Sequence, residues 1–314
     1  MKKIPVILDG DPGHDDAIAW VLANSRQELV ILAVTTVGGN QTLAKTTYNA
    51  GRVMSLIGLD VPRAAGRAKP LLCDLIVAPG VHGVTGLDGP ELPEPARDIV
   101  EEEAVELMAR LLETSDEPIV LVPTGPLTNI ASLLLLRPDL KEKIKHIYMM
   151  GGGITKGNWT AAAEFNILVD PEAADIVFRS GLPITMAGLD VTEKALVHPE
   201  DIERIRSVGN EIARIVAGWL EFFYQFHQPL GYEGAPVHDA VAIVAIVRPD
   251  LLTMCEMYVE VELIGEYTRG ATVGDIYGYL GRKPNVTCIM DIDREAFIDL
   301  LVESVASYGE ETSR

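Results

Sequence analysis

Four carboxylates fall within eight residues in Asp9-Gly-Asp11-Pro-Gly-His14-Asp15-Asp16, directly after the apolar run Ile4-Pro-Val-Ile-Leu8. Like charges that close repel and raise each other's pKa unless a cation or a ligand's hydroxyls take up the charge. A solvated acidic turn is the plainer reading of a lone DxD. An acidic helix start also complements the helix dipole, which accounts for Asp15 or Asp16. Neither explanation covers Asp9 and Asp11 as well. The cluster reads as a metal or catalytic site at the end of a strand.

Pro12 and Gly13 supply a tight turn, and Ala17, Ile18, Trp20, Val21 and Leu22 continue as an apolar helix. The same alternation of short apolar runs and helical patterns extends over most of the chain. Strands are expected at 4–9, 30–36, 119–122, 145–150 and 183–187, with helices at 15–24, 42–57, 101–115, 127–136 and 171–180. In 101–115 the apolar spacing is Ala104, Leu107, Met108, Leu111, Leu112, and Asp170-Pro171 offers an N-cap and a first helical residue for 171–180. The last third adds helices 210–227, 239–247 and 293–308 and strands 257–263, 268–273 and 286–291, which could extend the sheet in mixed orientation. The expected fold is α/β: one open, doubly wound, mostly parallel but mixed Rossmann-like sheet, as a single domain over 1–314. Segment 71–99, rich in Gly and Pro, reads as a functional loop over the sheet edge.

In open α/β sheets ligands bind beyond the carboxyl ends of the strands. After the second strand comes Val37-Gly-Gly-Asn40, and after 119–122 comes Pro123-Thr124-Gly-Pro-Leu-Thr-Asn129. Past 145–150 lie Gly151-Gly-Gly, Asn158 and Glu164-Phe-Asn166, and past 183–187 lies Gly188-Leu-Asp190. Turn chemistry alone would put Gly and Asn at any one of these ends. Five ends in register ask for more. Carboxylates, amide oxygens and carbonyls suit Ca²⁺ or Mg²⁺, and no Cys/His cluster points to structural zinc. Asn158, Glu164 and Asn166 carry the donors and acceptors that a vicinal diol needs.

Two histidines share this context. His238-Asp239 opens a helix before the apolar run Ala240 to Val247, and His82-Gly83 lies in the long loop. A lone histidine more often caps a helix or decorates a loop; one beside an acid, in a chain with a cation site, is a candidate for proton transfer. His14, His198 and His227 have weaker contexts, and His146 reads as structural.

A formal charge of −20 argues against nucleic-acid or anionic-membrane binding through a basic surface. Three widely spaced cysteines read as reduced thiols, and the absence of a signal peptide or a long apolar run makes a cytoplasmic enzyme the expectation. No GxGxxG follows the first strand, the glycines at 152–157 lead to Asn158-Trp159 rather than Lys-Ser/Thr, and no GxSxG is present.

With those motifs laid out, the chain resembles the inosine–uridine nucleoside N-ribohydrolases over nearly its whole length. The resemblance is carried by Leu8-Asp-Gly-Asp-Pro-Gly-His-Asp-Asp16, Gly39-Asn-Gln-Thr42, His82-Gly-Val-Thr-Gly-Leu-Asp-Gly-Pro90, Pro123-Thr-Gly-Pro-Leu-Thr-Asn-Ile130, Met149-Met-Gly-Gly152, Ala163-Glu-Phe-Asn-Ile167, Asp170-Pro-Glu-Ala173 and Pro236-Val-His-Asp-Ala240. It implies Ca²⁺-dependent hydrolysis of a ribonucleoside to free base and ribose by a homodimer or homotetramer. It also implies that Asp11, Asp16, Asp239 and the Thr124 carbonyl hold the calcium, with Asn40 nearby. Asp15, Asn158, Glu164, Asn166 and Met150 would contact ribose. Asp11 would be the general base on a calcium-bound water, His238 the leaving-group acid, and His82 a neighbour of the base. In pyrimidine-specific members Gln and Tyr stand where this chain has Phe226 and Leu230, with Gln225, Gln228 and Tyr232 close by, so pyrimidine and inosine ribosides both stay open. Phe222 and Phe223 fit core packing of helix 210–227.

Two other classes compete. A haloacid-dehalogenase-like phosphatase would use Asp9 as nucleophile and Asp11 as acid, but it expects Thr or Val at Gly13 and a later acidic pair for which Asp190 alone is thin. A calcium-dependent nucleoside-binding protein would keep the metal and ribose residues without needing Asp11 and His238 as acid and base.

Overall fold

The computed structural model describes residues 3–309. Its strands are β1 (Ile4–Gly10), β2 (Leu29–Thr36), β3 (Arg63–Ala65), β4 (Ile119–Pro123), β5 (Ile144–Met150), β6 (Ile184–Ala187), β7 (Leu196–Val197), β8 (Ala235–Pro236), β9 (Leu252–Met257), β10 (Val259–Val261), β11 (Thr272–Gly274) and β12 (Val286–Ile292). The helices are α1 (His14–Ser25), α2 (Leu43–Leu56), α3 (Pro79–His82), α4 (Ala104–Thr114), α5 (Thr128–Leu136) and α6 (Phe165–Val169). They continue as α7 (Pro171–Phe178), α8 (Leu189–Thr192), α9 (Pro199–Ser207), α10 (Glu211–His227), α11 (Ala240–Val247) and α12 (Arg294–Ser307).

Eight strands form one sheet in the order β3-β2-β1-β4-β5-β6-β12-β9, parallel except for the antiparallel edge strand β9. Residue alternation along β1 sends Val6 and Leu8 to one core and Ile7 to the other. The first core takes in α1, α10, α11 and α12, and the second takes in α4, α5 and α7. Helix α11, Ala-Val-Ala-Ile-Val-Ala-Ile-Val, is apolar all round because it is buried all round. Asp170 caps α7, accepting from the Ala173 N–H at 3.1 Å with Pro171 at the first position, as the sequence indicates. No helix among the described residues is long and apolar enough to cross a membrane.

The doubly wound, mixed single-domain α/β expectation holds, but its C-terminal detail does not. The expected strand 257–263 breaks at Tyr258, because Asn285 occupies the Val259 backbone on both sides, accepting from its N–H at 2.8 Å and donating to its carbonyl at 2.9 Å. Expected strand 268–273 shrinks to β11, since Gly270 turns the chain at φ +83°. Strands β10 and β11 pair only with each other. The sheet is extended by β12 and β9 instead, of which only β12 (expected at 286–291) was anticipated.

Strand order reverses at β1, with β2 on one side and β4 on the other, so their carboxyl ends diverge into a crevice. Val37 N–H bonds Gly10 carbonyl at 3.1 Å and Thr124 N–H bonds Asp9 carbonyl at 2.8 Å before the chains part. Asn129 locks this junction. Its Nδ2 donates to Asp9 Oδ1 at 2.7 Å and to the Thr36 carbonyl at 3.0 Å, and its Oδ1 accepts from Arg67 N–H at 2.8 Å. Asn129→Ala strands two buried partners and the half-buried Arg67 N–H and is expected to cost about 3 kcal/mol, read as a lower urea midpoint at unchanged slope; a loss below about 0.5 kcal/mol would show that the junction does not depend on it.

Candidate active site

The crevice holds a cavity of about 440 Å³ whose lining includes Asp15, Asn40, His82, Thr124, Met150, Asn158, Glu164, Asn166, His238 and Asp239. Segments from widely separated parts of the sequence meet there. Asp15 and Asp16 come from the first turn of α1, and Asp239 caps α11 from across the crevice. Asp15, Asp16 and Asp239 present carboxylate oxygens all within 4.8 Å of one another. Asp11 stands beside this trio rather than in it: Oδ2 accepts from the Asn40 N–H at 2.6 Å, and the buried Oδ1 has no protein partner. Asp15 Oδ1 is also buried and unpartnered.

Backbone without side chains surrounds Asp11. A methyl added at Gly39 would stand 2.1 Å from Asp11 Oδ2, and one at Gly125 would stand 2.4 Å from Oδ1. The glycines after the strands are therefore required by close approach to a carboxylate, not merely by turns.

Burial pushes all four carboxylates of this group upward. Asp11 lies well above the usual range through burial and the neighbouring Asp16, and Asp15, for the same two reasons, is pushed up to about 8. Burial, then Asp15, Asp16 and Asp11, raise Asp239 well above its ordinary value, and burial raises Asp16. No lysine or arginine hydrogen bond reaches these oxygens among the described residues. Asp16 Oδ1 accepts from the Thr124 hydroxyl at 2.6 Å, and Oδ2 from Gly13 N–H at 3.1 Å. Unpartnered buried oxygens on clustered carboxylates fit a hard divalent cation. Asp9 differs: Oδ1 accepts from Thr35 and Asn129 at 2.6 and 2.7 Å, tying β1 to β2 and α5. Burial raises it to about 6.

On the facing wall, Glu164 caps α6, accepting from Gly152, Asn166 and Ile167 N–H groups at 2.8, 2.9 and 3.2 Å. Asn166 Nδ2 donates to the Thr124 carbonyl at 2.8 Å and reaches Met150 Sδ at 3.3 Å, while Asn158 Oδ1 accepts from Phe165 N–H at 3.0 Å. Asn158 thus has its amide NH₂ free, and the Thr124 carbonyl keeps a second lone pair. His238 pairs Nδ1 with the Thr192 hydroxyl at 2.8 Å, and burial, with His227 and Lys156 nearby, pushes it down to about 3.

His82 is buried between His14 and Phe223, with ring centroids 5.5 and 5.3 Å away, and burial holds it well below the usual imidazole range. His14, a weak candidate by sequence, has Nε2 within 2.7 Å of the Asp88 carbonyl and so fastens the long loop to α1. His146 bonds Thr185 at 2.9 Å outside the cavity, a structural role as expected. Phe223 belongs to the core and also lines the cavity. Lys156, Trp159, Glu193, Phe226, His227, Leu230 and Tyr232 complete the wall. The candidate list omitted Lys156, Trp159 and Glu193; only their place after strand ends could have marked them.

The sequence model of the inosine-uridine preferring nucleoside hydrolase family matches residues 6–299. Pyrimidine-specific ribonucleoside hydrolases named RihA from Enterobacter sp. and Citrobacter koseri are each 53% identical over 98% of this chain and 99% of their own. Among solved structures, a purine-preferring ribonucleoside hydrolase from Gardnerella vaginalis superposes with TM-score 0.90 at 30% identity, covering 97% of this chain and 98% of that one. An inosine-guanosine nucleoside hydrolase gives 0.88 at 31%, covering 96% and 98%.

The raised carboxylates carry a sign. Raised folded-state values mean that the cation-free protein loses stability as pH rises from the ordinary carboxylate range through the raised values, about 8 for Asp15. A cation at 100-fold its Kd then adds about 2.7 kcal/mol, or roughly 5 °C in Tm, at pH 7.5. Scanning calorimetry with and without millimolar Ca²⁺ is expected to give that shift, shrinking at pH 5 as protons compete; an equal shift at both pH values, or none, contradicts it.

Proposed function

The chain belongs to the inosine-uridine preferring nucleoside hydrolase family, and from that premise we propose that its substrates are pyrimidine ribonucleosides. It is a ribonucleoside hydrolase, cleaving an N-glycosidic bond. The observation that carries the finer reading is one cavity lined by Asp15 and Asp239 of the carboxylate cluster together with His238. The RihA relatives, named pyrimidine-specific, support the base preference.

Asp11, Asp16, Asp239 and the Thr124 carbonyl would hold a Ca²⁺, with Asn40 fixing Asp11 from behind. Bound there, the ion supplies the field that lets a water lose its proton near neutrality. Asp11 is the base for that proton, and its unpartnered Oδ1 supports the role. Asp15, Asn158, Glu164, Asn166 and Met150 orient the ribose, which is gripped as a diol. As the bond from C1′ to the base lengthens, positive charge grows on the ribose and the surrounding carboxylates stabilise it. His238 Nδ1 lies 2.8 Å from the Thr192 hydroxyl; in the tautomer in which Nδ1 accepts, the Nε2–H faces the departing base as a hydrogen-bond donor, and a proton that leaves Nε2 is replaced from water. His82 packs beside the base site. Assembly as a homodimer or homotetramer is proposed as well; exposed Tyr267, Tyr277, Tyr279 and Ile264 offer apolar surface for it.

A panel of uridine, cytidine, inosine and adenosine, with ribose release measured with and without chelator, tests this reading. Uridine and cytidine are expected to release ribose, chelation to stop it, and Asp11→Ala to abolish it. His238→Ala is expected to cut kcat on uridine by ~10²–10⁴ while sparing a riboside with a good leaving group. Ribose from none of the four would overturn the reading, and phosphate-dependent cleavage would mark a phosphorylase.

A further inference from the structure

Asp15, Glu164, Glu193 and Asp239 put carboxylates in the cavity lining, whereas among the described residues Lys156 is the one lysine or arginine there. Lys156 lies in the segment between β5 and α6 and forms an ion pair with Glu193, just past α8. The Tyr232 hydroxyl donates to the other oxygen of Glu193 at 2.8 Å. The Glu193 side chain is only 10% exposed, against 50% for Lys156. The lysine is therefore held from below by a fixed carboxylate, with its own surface open to the cavity.

The segment bearing it is pinned as well. Asp190 on α8 accepts from Ile154 N–H at 2.7 Å and from Thr155 N–H and hydroxyl at 3.1 and 2.7 Å. Thr272 of β11 closes the other side, donating to the Gly153 carbonyl at 2.9 Å and accepting from its N–H at 2.8 Å. Phe226, Leu230 and Tyr232 form the neighbouring wall, and Lys156 lies within electrostatic reach of His238.

We propose that Lys156, anchored by Glu193 and Tyr232, stabilises the negative charge that develops on the departing nucleobase. The proposal rests on the pyrimidine-riboside reading above. When the bond between C1′ and the base nitrogen breaks, its electron pair stays with the base, and in uracil that charge spreads onto the two carbonyl oxygens. Water supplies the oxygen that bonds C1′ and, overall, the proton the base takes up. An ammonium held in place before the reaction favours this separation of charge without reorganising. The arrangement also divides roles: Lys156 answers the charge, and Glu193 holds Lys156.

The test is kcat/KM by ribose release for uridine, 5-fluorouridine and p-nitrophenyl riboside, whose leaving groups become progressively better, with the full-length protein and Ca²⁺ present. Lys156→Met is expected to lose roughly tenfold to a hundredfold on uridine, less on 5-fluorouridine and under about twofold on the p-nitrophenyl riboside. Lys156→Arg restores most of the activity on uridine. Glu193→Gln keeps the ammonium but loosens it, so KM rises while the dependence on leaving group stays that of the wild type. Equal losses on all three ribosides with Lys156→Met, or no loss on uridine, overturn the proposal. A wild type that releases ribose from none of them overturns the hydrolase reading instead, and the two failures are told apart by the wild-type control.

Discussion

Mutual repulsion among buried carboxylates is the constraint on which the rest of the molecule depends. Asp11, Asp15, Asp16 and Asp239 sit in the protein interior with no lysine or arginine hydrogen-bonded to them among the described residues, and each is pushed toward its protonated form. Such an arrangement destabilises the folded chain on its own. It persists because the surroundings leave no alternative position. Gly39 and Gly125 press backbone against Asp11, the first turn of α1 fixes Asp15 and Asp16, and the start of α11 brings Asp239 over the top. In the proposed function that strain is relieved when a positive charge arrives, first as a cation and then as the developing charge on ribose.

The scaffold is built to hold that strain. Asp9 shares the motif but not the chemistry. With both its bonding partners on neighbouring elements, it fastens β1 to β2 and α5 beneath the cluster. The opposite wall is rigid for a different reason. Glu164 spends its carboxylate on helix-capping bonds, so a residue that faces the cavity is also the N-cap that positions Asn166. His14 likewise serves geometry, tying the long loop with His82 to the helix of the acidic cluster.

Much of this was legible in the sequence because the informative residues are local. Asp9 to Asp16 and Thr124 follow apolar strand runs, Asn166 lies past the run 145–150, and His238-Asp239 stands just before the apolar run Ala240 to Val247; the α/β alternation places such strand ends along one crevice. Three things were not legible. Lys156 and Glu193 look like ordinary surface charges, since their pairing depends on the turn after β5 meeting α8, a contact with no sequence period. The apportioning of Asp11 and Asp15 depends on side-chain geometry: Asp15 joins the close trio while Asp11 stands beside it. And the break at Tyr258 arises from Asn285, 26 residues beyond Val259, whose amide competes with the strand ladder at Val259.

Binding of Ca²⁺ to chelator-treated protein near pH 7, followed calorimetrically in buffers of different ionisation enthalpy, tests the central claim most directly. Carboxylates held partly protonated by burial and by one another must give up those protons to ligate a cation. The account therefore predicts one site with release of about one proton or more per ion, and loss of that site in Asp239→Asn. Binding without proton release, or binding that survives Asp239→Asn unchanged, would contradict it.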